Sequence, residues 1–96
     1  MRVEVEVTSV DQAIETLAAG ADALLLDNMS AEDMRRVVSI VQGRAVLEAS
    51  GGVTLRNVRA IAETGVDLIS AGSITHSAKA LDISLEFEIG PSTGSG

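Results

Sequence analysis

The sequence predicts an α/β protein: a partial (half) βα-barrel of about four parallel βα units plus a C-terminal edge strand. Three observations lead there. Polar residues close successive short apolar runs at Glu6, Asp27, Ser50-Gly51 and Gly72-Ser73, and consecutive members lie 21 to 23 residues apart. A strand needs a crossover of a dozen or more residues to reach a parallel neighbour, so that interval fits one strand and its helix. Gly20, Gly43 and Gly65 each precede an apolar run, where a helix stops and the next strand begins. Ninety-six residues are too few for a complete βα-barrel, which takes roughly 200 or more.

The elements follow in order. Val3, Val5 and Val7 alternate with Glu4 and Glu6, the period-2 signature of a strand with one wet face. Ser9 or Asp11 caps a helix running to about Ala19. Ala21–Asp27 is nearly all apolar, as expected of a strand in a parallel sheet. Ser30 opens a capping box with Asp33, and Met34, Val37, Val38 and Val41 form the apolar stripe of the helix that follows. Arg44–Ala49 is the third strand, Gly51-Gly52 its turn, and Thr54 the cap of a helix with Leu55, Val58, Ile61 and Ala62 inward. Val66–Ala71 is the fourth strand. Gly20-Ala21-Asp22 and Gly65-Val66-Asp67 form a weak internal repeat, each joining a helix to a strand. Ile74–Leu81 has room only for a short helix. Ile83, Leu85, Phe87 and Ile89 alternate with polar residues in a one-faced strand. Residues 1–89 therefore read as one domain, and 90–96 (GPSTGSG) as a flexible linker or cloning tail.

Side chains alternate faces along a strand, so parity can be carried from strand to strand. With the rim residues taken as inward, Glu4, Glu6, Leu25, Asp27, Val46, Glu48, Ser50, Leu68, Ser70 and Gly72 share one face. The other face, from Val3, Val5 and Val7 through Leu24, Leu26, Leu47, Ala49 and Ile69 to Ala71, is wholly apolar and suited to a layer of helices. On all four strands the inward face turns polar toward the rim, where ligands of βα folds bind.

The chemistry expected there has two parts. Ser50 and Gly51 leave backbone N–H groups free at a strand end, and Gly72 supplies a second such place, so these three are the candidate phosphate-binding residues, with Gly52 and Ser73 secondary. Glu6 and Asp27, with Glu48 beside them, are placed to stabilise a cationic intermediate or to meet Mg²⁺ brought by a phosphorylated substrate. His76 has no second His and no Cys for a metal set, and reads as a loop residue. Arg56 is the cation nearest the Gly-Gly turn.

Composition narrows the function. A net charge of −7 excludes nucleic acid and anionic membranes as natural partners. There is no cysteine for a disulfide or thiolate site, and no stretch long enough to span a membrane. Met1-Arg2 leads directly into a strand without a signal peptide, so a cytoplasmic setting is expected. With 46% hydrophobic residues but only one aromatic, Phe87, the core rests on Val, Ile, Leu and Ala.

VEVEV (3–7), GADALLLDNMS (20–30), LEASGGVT (47–54) and GSITHSAKALDISLEF (72–87), in this order and spacing, closely resemble the C-terminal half of quinolinate phosphoribosyltransferase. That family is also called nicotinate-nucleotide pyrophosphorylase (carboxylating). The resemblance implies an incomplete α/β-barrel beside a separate N-terminal domain, usually dimeric. It implies a Mg²⁺-dependent reaction of quinolinate with phosphoribosyl pyrophosphate that gives nicotinate mononucleotide, CO₂ and pyrophosphate. By motif, Glu6 and Asp27 correspond to carboxylates of the phosphoribosyl site, Glu48 to the acid before the phosphate loop, and Ser50, Gly51 and Gly72 to the 5′-phosphate loops. The family's Lys, Arg and His residues for the acceptor have no counterpart here. The chain is accordingly expected to be a non-catalytic, engineered fragment in which Glu6 and Asp27 are vestigial. It is expected to need no cofactor and hold no metal of its own. Its expected partner is itself, as a homodimer or higher oligomer, with a domain swap as one route. Residual phosphate or ribose-phosphate binding is one alternative; half of a split enzyme, active only with its complement, is another.

Overall fold

Serine hydroxyls start the first two helices by supplying acceptors that the opening turn lacks. In the computed structural model, which describes residues 2–80, strand β1 (Glu4–Val7) leads into α1 (Val10–Ala18), where Ser9 Oγ accepts from Gln12 N at 3.1 Å. Gln12 reciprocates, its Oε1 accepting from Thr8 N at 2.8 Å. After β2 (Ala23–Asp27), Ser30 Oγ accepts from Asp33 N at 3.1 Å and starts α2 (Ala31–Val41). Gly20, Gly43 and Gly65 lie at φ 97°, 78° and 98° where helices hand over to strands, a conformation that costs other residues about 1–2 kcal/mol. Strand β3 (Val46–Ser50), helix α3 (Val58–Ala62) and strands β4 (Leu68–Ala71) and β5 (Ile74–Ser77) complete the order.

The sheet order is β1-β2-β3-β4-β5, with the first four strands parallel and β5 antiparallel to β4. Consecutive parallel strands stepping in one direction, with crossovers of one hand, place every crossover helix on the same side. The core records this. Val7, Leu24, Leu26, Leu47, Ala49 and Ile69, all of one parity, are at most 3% exposed and cluster with Met34, Val37, Val41, Val58 and Ile61 of the helices. This is the apolar face read from the sequence, except that Val3 at 44% and Ala71 at its ends are exposed.

The internal repeat proves to be a repeated clamp. Asp22 N donates to Val3 O and Asp22 Oδ2 accepts from Val3 N; Asp67 N donates to Leu47 O and Asp67 Oδ2 accepts from Leu47 N. Each aspartate forms a two-point ring with a residue at the start of the neighbouring strand, Val3 just before β1 and Leu47 second in β3. The next pairs in register, Glu4↔Ala23 and Glu48↔Leu68, are equivalent.

Three expectations need correction. Of the stretch expected to hold only a short helix, Ile74–Ser77 is a strand and helical residues begin only at Ala78: Gly72 (φ 66°) and Ser73 turn the chain back, and Ala71 pairs with Ile74. A positive φ at the first of two turn residues is what a type II′ hairpin requires, and glycine supplies it. The fourth parallel strand is therefore followed by a hairpin rather than by a βα unit. The helix after Thr54 is also shorter than expected, because residues 55–57 form a turn and regular helix begins at Val58. Leu55 is consequently 76% exposed instead of part of the inward stripe. The strand expected over Ile83–Ile89 and the tail 90–96 lie outside the described residues.

Candidate functional site

Parallel register brings the rim residues onto one face, as parity requires. One row across the sheet runs Glu6, Leu25, Glu48, Leu68 and Ser77; the next pairs Asp27 with Ser50. No helix covers this side among the described residues. Glu4 and Glu6 are exposed, and Asp27, Glu48 and Ser50 half-buried. The strand residues on this face include no Lys, Arg or His: His76 pairs with Ile69 and so belongs to the parity of the helix side. The acids are spread over three strands. Among the described residues no group of three or more His, Asp or Glu is gathered for a metal ion.

The Ser50-Gly51-Gly52 loop is held from both sides. At its start, Asn28 N donates to Ser50 O at 2.8 Å, one rung beyond the Asp27↔Ser50 pair. At its end, Asn57 Nδ2 donates to Gly52 O at 2.8 Å, and Asn57 Oδ1 accepts from Thr54 N at 2.8 Å. Thr54 is not the cap of the regular helix, a position that Asn57 takes; it opens the turn before it, its Oγ1 accepting from Asn57 N at 3.4 Å and its carbonyl from Val58 N at 2.9 Å. Gly51 and Gly52 lie at φ 73° and 72°. A Cβ on Gly51 would stand 2.5 Å from Asp27 Oδ1, and one on Gly52 would stand 2.7 Å from Asn28 Oδ1. Glycine is required here by backbone conformation and by space.

Within the described residues the N–H groups of Gly51, Gly52 and Val53 have no acceptor. Three consecutive unpaired donors at a strand end, in a loop whose glycines are exposed, offer an anion hydrogen bonds. α3 contributes little to it, since the helix has five residues and starts six residues after Gly52. Gly72 and Ser73, the second expected source of donors, sit at the tip of the β4–β5 hairpin, and a Cβ on Gly72 would meet nothing within 4 Å. That turn is open where the Gly51 loop is closely packed.

Sequence reasoning missed a side-chain relay beside Glu48. Ser70 Oγ donates to Glu48 Oε2 at 2.6 Å and lies 2.7 Å from Thr75 Oγ1. A carboxylate only accepts, and serine has one hydroxyl proton, so Thr75 donates to Ser70 and Ser70 to Glu48. The parity argument had Ser70 on this face; Thr75 was out of reach until β5 was known to be a strand. Asn28 and Asn57 were missed as well, although Thr54-x-x-Asn57 is legible as a reciprocal cap.

Comparison with known proteins identifies the family. A sequence profile described as "Quinolinate phosphoribosyl transferase, C-terminal domain" matches residues 1–86. A probable nicotinate-nucleotide pyrophosphorylase (carboxylating) of Methanothermobacter thermautotrophicus is 47% identical over 90 residues, covering 88% of this chain and 32% of that protein. The human nicotinate-nucleotide pyrophosphorylase (carboxylating) is 38% identical, covering 90% of this chain and 30% of its own length. The chain thus spans about a third of the curated relatives it matches. Among solved structures, the nicotinate-nucleotide pyrophosphorylase of Francisella tularensis superposes with a TM-score of 0.69 at 45% identity, over 78% of this chain and 28% of that one. A thiamine phosphate pyrophosphorylase from Pyrococcus furiosus superposes with a TM-score of 0.65 at 26% identity, over 90% and 47%. The fold is accordingly mixed α/β with a five-stranded sheet, its structural neighbours include these pyrophosphorylases, and the chain belongs to the family of the quinolinate phosphoribosyl transferase C-terminal domain.

Proposed function

We propose that this chain carries the ribose-5-phosphate side of a phosphoribosyltransferase site on a half-barrel, and that alone it binds phosphate or ribose 5-phosphate without turning over substrate. The parent reaction joins quinolinate to phosphoribosyl pyrophosphate, releasing CO₂ and pyrophosphate. The observation that carries the reading is the Ser50-Gly51-Gly52 loop, where the N–H groups of Gly51, Gly52 and Val53 are unpaired among the described residues and Gly51 lies against the Asp27 side chain. Glu6 and Asp27 then serve the ribose hydroxyls or the developing positive charge on the sugar, and Glu48 lies beside the phosphate loop.

Charge supports the lack of turnover. Quinolinate is a dianion and phosphoribosyl pyrophosphate carries more negative charge still. The open face presents Glu4, Glu6, Asp27 and Glu48 with no basic strand residue among them. Such a face repels both substrates unless cations are supplied from elsewhere. The same face, and the outer edges of β1 and β5, are the surfaces a second copy would cover, so self-association is part of the proposal.

A titration with phosphate and with ribose 5-phosphate, followed by amide shifts of Gly51, Gly52 and Val53, tests the binding. Saturable shifts that vanish in Gly51→Val, with the fold retained, are expected; no shift in the unaltered chain would refute it. For catalysis, activity in the chain alone refutes the inference. If activity returns only with the remaining parts of the parent enzyme, it should be lost again in Glu6→Ala and Asp27→Ala. Light scattering should give a mass above the monomer.

A further inference from the structure

We infer that Asn28 is the positioning residue of the anion loop, a role that deepens the phosphate reading above and rests on it. Asn28 is one of two non-glycine residues at positive φ among the described residues, at φ 55°. The other, Gln42, is a helix C-cap, where that conformation is common. Asn28 caps no helix. It follows β2 immediately after Asp27; its N–H continues the ladder onto Ser50 O at 2.8 Å, and its left-handed φ then turns the chain out of the strand direction.

Two further contacts tie it to the loop. Its N atom stands 3.2 Å from where a Gly51 Cβ would be, and its Oδ1 stands 2.7 Å from where a Gly52 Cβ would be. The carboxamide thus occupies the space that a side chain on Gly52 would take, and the Asn28 backbone borders the space beside Gly51. The side chain makes no hydrogen bond within the described residues, and the residue is exposed. It buries nothing in the core, so core packing gives no reason for its strained backbone. Asparagine tolerates the left-handed region better than other non-glycine residues, and it brings a planar group that glycine lacks. One residue therefore sets both the start of the loop and its resting surface, and so aims the three free N–H groups.

The test separates backbone from side chain. Asn28→Gly adopts φ 55° without strain and keeps the bond to Ser50 O, but removes the carboxamide. Asn28→Asp keeps the shape and the oxygen beside Gly52. Without ligand, ¹H–¹⁵N heteronuclear NOEs should fall at Gly51, Gly52 and Val53 in Asn28→Gly and stay at the unaltered level in Asn28→Asp, while the urea midpoint of Asn28→Gly is unchanged or higher. With inorganic phosphate, Asn28→Gly should bind about tenfold more weakly, the scale of one lost ordering contact to a charged ligand. Equal loop order and equal phosphate affinity in Asn28→Gly would overturn the inference. If the unaltered chain takes no phosphate, the functional reading falls, and the ligand-free NOEs still decide whether Asn28 holds the loop.

Discussion

Replacing Gly51 by alanine should destabilise the chain more than replacing Gly43, although the two backbones are nearly the same. Their φ values are 73° and 78°, so the left-handed penalty of about 1–2 kcal/mol and the gain of about 0.4–1 kcal/mol from a stiffer unfolded chain apply to both. The surroundings differ. A Cβ at Gly43 meets nothing within 4 Å, whereas at Gly51 it would stand 2.5 Å from Asp27 Oδ1 and 3.2 Å from Asn28 N. Asp27 can rotate away, but the Asn28 backbone cannot move without loosening its bond to Ser50 O. Crowding of this kind costs about 1–3 kcal/mol, so Gly51→Ala should fall below Gly43→Ala by about 1–2 kcal/mol, near 1–2 M in urea midpoint at a slope of about 1 kcal/mol per M. The chain has no Trp or Tyr, so unfolding is best followed by far-UV circular dichroism. In an Asp27→Ala background the Gly51→Ala penalty should shrink, since the nearest obstacle is gone. If the two glycine variants unfold within about 0.5 kcal/mol of each other, the loop is not packed on Asp27 as described.

Three other outcomes follow from the same structure. Asp67→Ala leaves Leu47 N without its 2.9 Å acceptor at a part-buried site and should cost about 1–2 kcal/mol in urea unfolding; Asp22→Ala, at the exposed equivalent, should cost less. Leu26→Ala empties a fully buried place between sheet and helices, and a loss of about 2–5 kcal/mol should leave this small domain largely unfolded by circular dichroism. Asn57→Ala removes the bonds to Gly52 O and from Thr54 N, so hydrogen exchange at Thr54 should accelerate by about tenfold or more while exchange in β1 and β2 is unaffected.

The two βαβ units joined by the aspartate clamps also divide the chemistry of the rim. With Val3 equivalent to Leu47 and Asp22 to Asp67, Glu6 falls at the place of Ser50 and Asp27 at the place of Gly72. The first unit presents carboxylates where the second presents hydroxyl and backbone donors. One supersecondary pattern thus places carboxylates and the proposed anion-binding groups on neighbouring strands, the arrangement that the proposed ribose-phosphate reading requires.

Local rules explain what was legible in advance. Ser9 and Ser30 cap helices because a hydroxyl beside free N–H groups is a local contact. Gly20, Gly43 and Gly65 end them because positive φ is a property of one residue. Parity placed Glu6, Asp27, Glu48 and Ser50 on one face because a strand alternates whatever its neighbours do. Gly72-Ser73 was ambiguous, since the same pair suits a βα-loop or a two-residue hairpin, and only the pairing of Ala71 with Ile74 decides for the hairpin. Leu55 was misplaced because periodicity extends a helix through Asn57, whose side chain instead holds Gly52.

By itself, then, the sequence determined the parallel βα order, the starts of α1 and α2 and the glycines that follow the helices, the apolar and polar faces of the sheet, and the family. Tertiary structure alone decided the antiparallel β5, the Thr75–Ser70–Glu48 relay, the aspartate clamps and the packing of Gly51 and Gly52 on Asp27 and Asn28. Those contacts join residues some 20 or more positions apart or depend on which strand becomes a neighbour, and neither propensity nor periodicity carries that information.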